Sequence, residues 1–310
     1  MSKAFINRTH LEGWIYEHKL EVKTTGPNSK NPGTEFISGT VSIATDNDCT
    51  NVIPVHYTYV TAITSKGKTD PRFSALKNII DGVWKSVMAD GQENATKVNI
   101  NSTIDINDFY TDRSGEVQLV SAKRNEGGII QPIDVLAEDE KVRNTFECDM
   151  VITSVTHVEG DPDNDRPDKA AVKGCVFNNF SKALLPVEFS AVNPAAMDYF
   201  EGLDASAKQP VFTKLWGRQI SEVVIRKIEE ESAFGEAKVR EVRNTRKDWV
   251  ITGAAQEPYV WDDESTITVD ELNKAMTDRE THLAEVKRNW EEYRKSQNTT
   301  SSVPTGGFNF

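Results

Sequence analysis

The order of segments in the first 130 residues constrains the fold most: strand, strand, strand, helix, strand, strand. Residues 7–22 alternate, with Leu11, Gly13 and Ile15 on one parity and His10, Glu12, Trp14 and Tyr16 on the other. The stretch 24–33 (TTGPNSKNPG) is dense in turn formers and reads as a long hairpin loop. Residues 36–45 (FISGTVSIAT) alternate as a second strand, in which Gly39 marks a bulge or bend, and 52–60 form a third. From 72 to 88 the period turns helical, with Phe73, Leu76, Ile80, Val83, Trp84 and Val87 at three- and four-residue steps. Asp70-Pro71 starts that helix and Gly91 stops it. Strand period returns with Val98, Ile100, Ile104 and Ile106 on one parity. Residues 112–115 read as a turn, 117–122 as the start of a fifth strand, and 124–128 (RNEGG) as a loop. A chain of this order closes into a small five-stranded barrel.

The same order recurs in the second half without a close sequence repeat. Residues 144–158 read as a strand, 159–169 as an acidic loop, and 171–177 and 184–192 as strands. Asn193-Pro194 opens a short helix over 195–203, 211–224 is a long strand, and 236–254 supplies one or two more. Beyond Pro258 the character changes. Thr268 and Glu271 fit a capping box for a helix over 269–296, with a broken apolar stripe of Leu272, Met276, Leu283, Val286, Trp290 and Tyr293. Residues 297–310 are mostly Asn, Thr, Ser and Gly and are expected to be disordered. The organisation expected is a barrel domain over 1–135, a second over 136–258, an acidic helix over 259–296 and a tail.

Composition bounds the function. Of the 310 residues, 37% are hydrophobic and 27% charged, which suits a soluble globular chain. No apolar run approaches the roughly 18–20 residues of a membrane span, and the first residues have no signal-peptide core, so no membrane partner and a cytoplasmic location are expected. Cys49, Cys148 and Cys175 lack metal-ligand spacing and read as reduced structural thiols. The five histidines form no zinc-like pair, and no Gly-rich phosphate loop or nucleophile motif is present; no enzyme, cofactor or metal is expected. Residues 161–165 imitate the start of a calcium loop, but Arg166 replaces its glycine and Val172 its closing glutamate. The net charge of −12 argues against nucleic-acid binding, which neutralises phosphates. Acid is concentrated in the last third, however, while bases gather near hairpins at Lys66 and Lys68, at Lys123-Arg124 and over 240–247.

Four motifs stand in a recognisable order. Asn7, Arg8, Leu11, Gly13 and Ile15 give Asn-basic-x-x-Leu-x-Gly-x-aliphatic; residues 41–46 (VSIATD) end a second strand; 110–115 read YTDRSG; Gly127-Gly128 follow a terminal strand. In this the first 130 residues resemble the OB-fold of bacterial and phage single-stranded DNA-binding proteins. The resemblance implies a mainly β chain with some α: a five-stranded OB barrel, two in tandem, with a C-terminal helix and a disordered tail. It also implies sequence-nonspecific binding of single-stranded DNA in replication, recombination or repair, with Tyr59 and Tyr110 stacking on bases. Strand parity adds Trp14, Tyr16 and Tyr57 to the stacking set, and position adds Lys66, Lys68, Lys123 and Arg124 as phosphate contacts. The family's tryptophan early in strand three falls near Ile53, and the tail lacks its run of acids. Phe308 and Phe310 are the expected contacts to replication proteins. Tandem barrels and a diverged tail look viral, which would place the protein in a host cytoplasm; a homo-oligomer is a further expectation. The alternative is a β-rich phage structural or protein-interaction module that binds no nucleic acid.

Overall fold

The computed structural model describes residues 5–113, 115–161, 166–179, 181, 183–230, 238–261 and 267–300, with backbone alone for 222–230, 238–245 and 297–300. The calcium-like loop and the phenylalanines of the tail fall, wholly or in part, outside these residues.

The first half contains β1 (Asn7–His18), β2 (Glu21–Thr24), β3 (Glu35–Ala44), β4 (Val52–Thr61), α1 (Pro71–Ile80), α2 (Val87–Asp90), β5 (Lys97–Thr111) and β6 (Gln118–Pro132). Strand β1 pairs antiparallel with both β3 and β5, β3 with β4, and β5 with β6. A parallel pairing of β4 with β6 closes the ring. This is the five-stranded OB topology with α1 between its third and fourth strands. Leu11, Ile15, Ile37, Val41, Ile43, Val55 and Tyr57 fill the barrel, and Ala75, Leu76 and Ile79 of α1 plug it.

The second half repeats the closure with β7 (Asn144–Val158), β8 (Lys169–Phe177), β9 (Leu184–Ala191), α3 (Pro194–Glu201), β10 (Val211–Glu230) and β11 (Lys238–Ala254). Here β7 pairs with β8 and β10, β8 with β9, β10 with β11, and β9 runs parallel to β11. Phe200 of α3 seals the core of Phe146, Val172, Phe189 and Trp249. Antiparallel pairing of β1 with β7 joins both barrels into one eleven-stranded sheet. At that seam buried Asn7 donates to the carbonyls of Ile104 and Phe177, 3.0 Å each, and accepts from the Ile104 N–H at 2.8 Å.

Two segments differ from their reading in sequence. The helix expected over 72–88 stops at Ile80, because Gly82 takes φ +70° and turns the chain out; Val83 is then exposed, while Trp84 packs on the first core. The loop expected at 124–128 lies inside β6. Its Gly128 has φ +104°, and a Cβ there would sit 2.3 Å from the Asn101 carbonyl oxygen, so the glycine forms a bulge that lets the strand continue. Gly39, with φ +133° at the β3–β4 register shift, is the bend the sequence suggested.

Helix α4 (Val269–Thr300) continues past residue 296, where the tail was expected to begin. The Thr268–Glu271 capping box forms: the Glu271 N–H donates to Thr268 Oγ1 at 3.2 Å and the Thr268 N–H to Glu271 Oε2 at 3.1 Å. Leu272 and Ala275 pack on Val151, Phe177 and Phe212 of the second barrel. Farther along, the helix reaches the β5–β6 hairpin of the first barrel.

Each barrel's last hairpin also crosses to the other. Ile104 and Ile106 of β5 belong to the second core, whereas Val98 and Ile100 of the same strand belong to the first. Reciprocally, Gln219 of β10 exchanges amide hydrogen bonds of 2.7 and 3.0 Å with Asn125 of β6, and the Ser221 N–H donates to Asn51 at 2.7 Å. Among the described residues no helix is long and apolar enough to cross a membrane.

Candidate nucleic-acid interface

The outer face of β3 and β4 carries an aromatic pair, the exposed Tyr59 and the half-buried Phe36. Phe36 and Tyr59 pack with ring centroids 4.6 Å apart, and Tyr59 is 48% exposed. Their position follows from the Gly39 bulge. Up to Tyr57 the strand β4 alternates, with Ile53, Val55 and Tyr57 inward; opposite the register shift the phase slips, so Thr58 and Tyr59 both face out and Val60 returns to the core. Lys23 of β2 is the register partner of Phe36, and exposed Lys66 and Lys68 lie in the turn that follows β4. Phe36 was not among the residues singled out from sequence; its parity opposite Ile37 was the available signal.

Several expected contacts need correction. Tyr57 is 2% exposed, so it does not share the outer face with Tyr59; the bulge separates them. Burial pushes its phenol well above the ordinary tyrosine range. Trp14 points away from the barrel core but is buried nonetheless, because the segment after β6 folds over it. The Arg143 guanidinium lies 5.9 Å from its ring and is anchored to the Ala137 carbonyl at 2.6 Å and to Asn47 at 2.8 Å. Tyr16 sits half-buried at the bulge between Ile15 and Glu17.

Tyr110 is also half-buried, facing Trp290 of α4 at 5.9 Å. Beside it Arg279 holds Asp108 through two bonds of 2.5 and 2.6 Å, and Arg294 reaches Asp112 at 3.0 Å. Neither Lys123 nor Arg124 is a free surface cation. The Lys123 ammonium lies over the Phe189 and Trp249 rings, 4.5 and 4.9 Å from their centroids, and donates to the Glu188 carbonyl. Burial pushes its amine down to about 7, against the opposing pull of Asp248 and Glu188. Arg124 is held by Asp105 at 3.2 Å and Glu126 at 3.0 Å.

These two bases line a cleft of about 430 Å³ between the barrels. Its walls are Pro54 and His56 of β4, Lys123 to Asn125 of β6, Lys169 and Glu188 of the second barrel, and Lys247 to Trp249 of β11. Lys169 binds Asp248 at 3.4 Å and Ser190 at 2.9 Å. His56 accepts burial at the cleft's edge and is pushed below its ordinary range by that burial and by Arg124. Among the described residues no group of three or more His, Cys, Asp or Glu side chains is placed to hold a metal ion.

A deletion mutant of the single-stranded DNA binding protein from Thermus aquaticus superimposes with a TM-score of 0.44 and 10% identity, over 84% of this chain and 97% of that one. No curated protein matches the sequence. The sequence profile of one family does, over residues 6–289, and the chain is therefore a member of the YorF family.

Proposed function

We propose that the protein binds single-stranded nucleic acid, without strong sequence preference, on the outer face of β3 and β4 of the first barrel. In this reading it coats DNA strands exposed in replication, recombination or repair, and acts as a binding protein and not an enzyme. The observation that carries the proposal is the outward-facing Phe36–Tyr59 pair, in which Tyr59 is exposed and Phe36 half-buried. It stands on the second and third strands of an OB barrel, the face such barrels offer to oligonucleotides. Each base stacked on an aromatic ring contributes about 1–3 kcal/mol and is insensitive to base identity. Lys23, the register partner of Phe36 and paired with Glu21 at 3.0 Å, and the exposed Lys66 and Lys68 of the turn after β4 are the cations assigned to phosphate contacts in this reading.

Titration of labelled oligo-dT at low salt tests this by fluorescence anisotropy. Phe36→Ala and Tyr59→Ala are each expected to weaken binding by about 5- to 150-fold, the range that follows from the stacking energy. A wild-type protein that leaves the oligonucleotide free at low salt sinks the proposal, as does a double variant that binds unchanged. The net charge of −12 favours the second reading, a protein-interaction module without nucleic-acid binding. That reading gains if the protein passes through a single-stranded DNA column unretained and co-purifies with one defined partner.

A further inference from the structure

We propose that the cleft between the barrels seats one phosphodiester of a strand leaving the Phe36–Tyr59 face, with Lys247 and Lys123 as its cationic partners. The proposal rests on the binding reading above and extends its path to the second barrel. The outward positions of β4 after Tyr59 are Thr58, His56 and Pro54, and the last two line the cleft. At about 3.3 Å per residue this track covers roughly 17 Å, a span of a few nucleotides of extended strand. One strand could thus lie along β4 with its bases on the ring pair and its backbone in the cleft.

The cleft is lined by more cations than carboxylates. Two of its bases are already engaged: Arg124 with Asp105 and Glu126, and Lys169 with Asp248. Lys247 is exposed, and no ion pair is recorded for it among the described residues. Lys123 binds only a carbonyl and two ring faces. Four cations, Lys123, Arg124, Lys169 and Lys247, therefore line the cleft together with two carboxylates, Glu188 and Asp248. Lys123 and Lys247 are the two of these cations that no carboxylate among the described residues holds in an ion pair, and the apolar surface of Trp249 beside them strengthens their attraction for a phosphodiester.

The seat is also pH-dependent. Lys123 is faced by Glu188 of β9, Asp248 of β11, Cys148 of β7 and Lys169 of β8, with Arg124 beside it and His56 across the cleft. With its amine near 7, Lys123 is largely charged at pH 6 and largely neutral at pH 8. A bound phosphate draws the proton on, so affinity should fall as pH rises through 7.

The test is oligo-dT binding by the full chain over a salt series and from pH 6 to pH 9. Lys247→Gln should flatten the slope of log affinity against log salt by about 0.7, the value of one phosphate contact on a single strand. Lys123→Arg, which keeps the charge, should bind but lose the pH dependence. Wild-type slope and pH profile in both variants, with Phe36→Ala still weakened, would overturn the cleft proposal and leave the stacking face standing. Absence of any wild-type binding would remove both. Inorganic phosphate at matched ionic strength distinguishes the source: quenching of Trp249 emission by phosphate alone would mean a free-anion site and would overturn the strand-borne reading.

Discussion

Tyr57 and Tyr59 stand two positions apart on one strand, one in the core and the other on the surface. A regular strand would put them on one face; the register shift at Gly39 adds a residue and reverses the parity beyond it. The same residue-level logic separates Trp14 from Tyr59. Trp14 faces outward in parity, yet Arg143 lies over its ring, and the side chain is 9% exposed. Trp14→Ala should therefore destabilise the fold by about 3–5 kcal/mol, as truncation of a buried tryptophan does. The fraction that remains folded should bind oligo-dT with unchanged affinity. Urea denaturation with a parallel anisotropy titration checks both; weakened binding at intact stability would return Trp14 to the interface.

At the scale of elements, α4 ties the second barrel to the β5–β6 hairpin of the first. Its early turns pack on Val151, Phe177 and Phe212, and its later turns meet Asp108, Tyr110 and Asp112. The Asp108 side chain is 2% exposed. Burial raises its pKa, but hydrogen bonds from Arg279 and Ser121 and the charges of Arg279 and His282 outweigh that, and the carboxyl ends below its ordinary range. A depressed carboxylate stabilises the fold above its unfolded pKa and loses that contribution as pH falls through the folded value. Arg279→Ala leaves the buried carboxylate with only Ser121 and His282 and should cost roughly 3 kcal/mol at neutral pH. Because the pair is gone, the variant should lose less further stability than the wild type between about pH 5 and pH 2. Thermal melts across that range decide it, and parallel pH curves for the two proteins would refute the assignment.

At the scale of the whole molecule, the barrels are joined by strand pairing, by crossed hairpins and by a buried amide network. Gln219 lies at the centre of that network. Its side chain pairs with Asn125, and its carbonyl accepts from Asn144 at 2.5 Å and from Asn51 at 3.2 Å. Asn125, Asn144 and Gln219 are all 3% exposed or less, so a lost partner leaves a polar group without water. Gln219→Ala should cost about 1–3 kcal/mol for the orphaned Asn125 amide oxygen, while the Asn125 NH2 keeps the Pro54 carbonyl at 3.1 Å. It should also loosen the coupling, so that one cooperative thermal transition broadens or splits. A single transition of unchanged width and midpoint in calorimetry would show that the network does not couple the barrels. The net charge of −12 is a property of this whole; the candidate face carries Lys23 beside Phe36, and the turn after β4 carries Lys66 and Lys68.

The amino-acid sequence alone determined the elements and their order. Alternation at Val98, Ile100, Ile104 and Ile106, the helix start at Asp70-Pro71, the Gly39 bend and the Thr268–Glu271 box are local patterns, set by side-chain period and by backbone groups a few residues apart, and each is found in the structure. The resemblance of the opening motifs to an OB barrel was legible for the same reason. Which aromatic rings and bases stay free was not legible, because that depends on surfaces brought together from distant parts of the chain. Trp14 is covered from residue 143, Tyr110 is met by Trp290, and Lys123 is drawn over Phe189 and Trp249, while Tyr59 remains open with Phe36 half-buried beside it. Parity states only the side of a strand on which a residue stands; exposure is decided by what else packs there, and only tertiary structure supplies that.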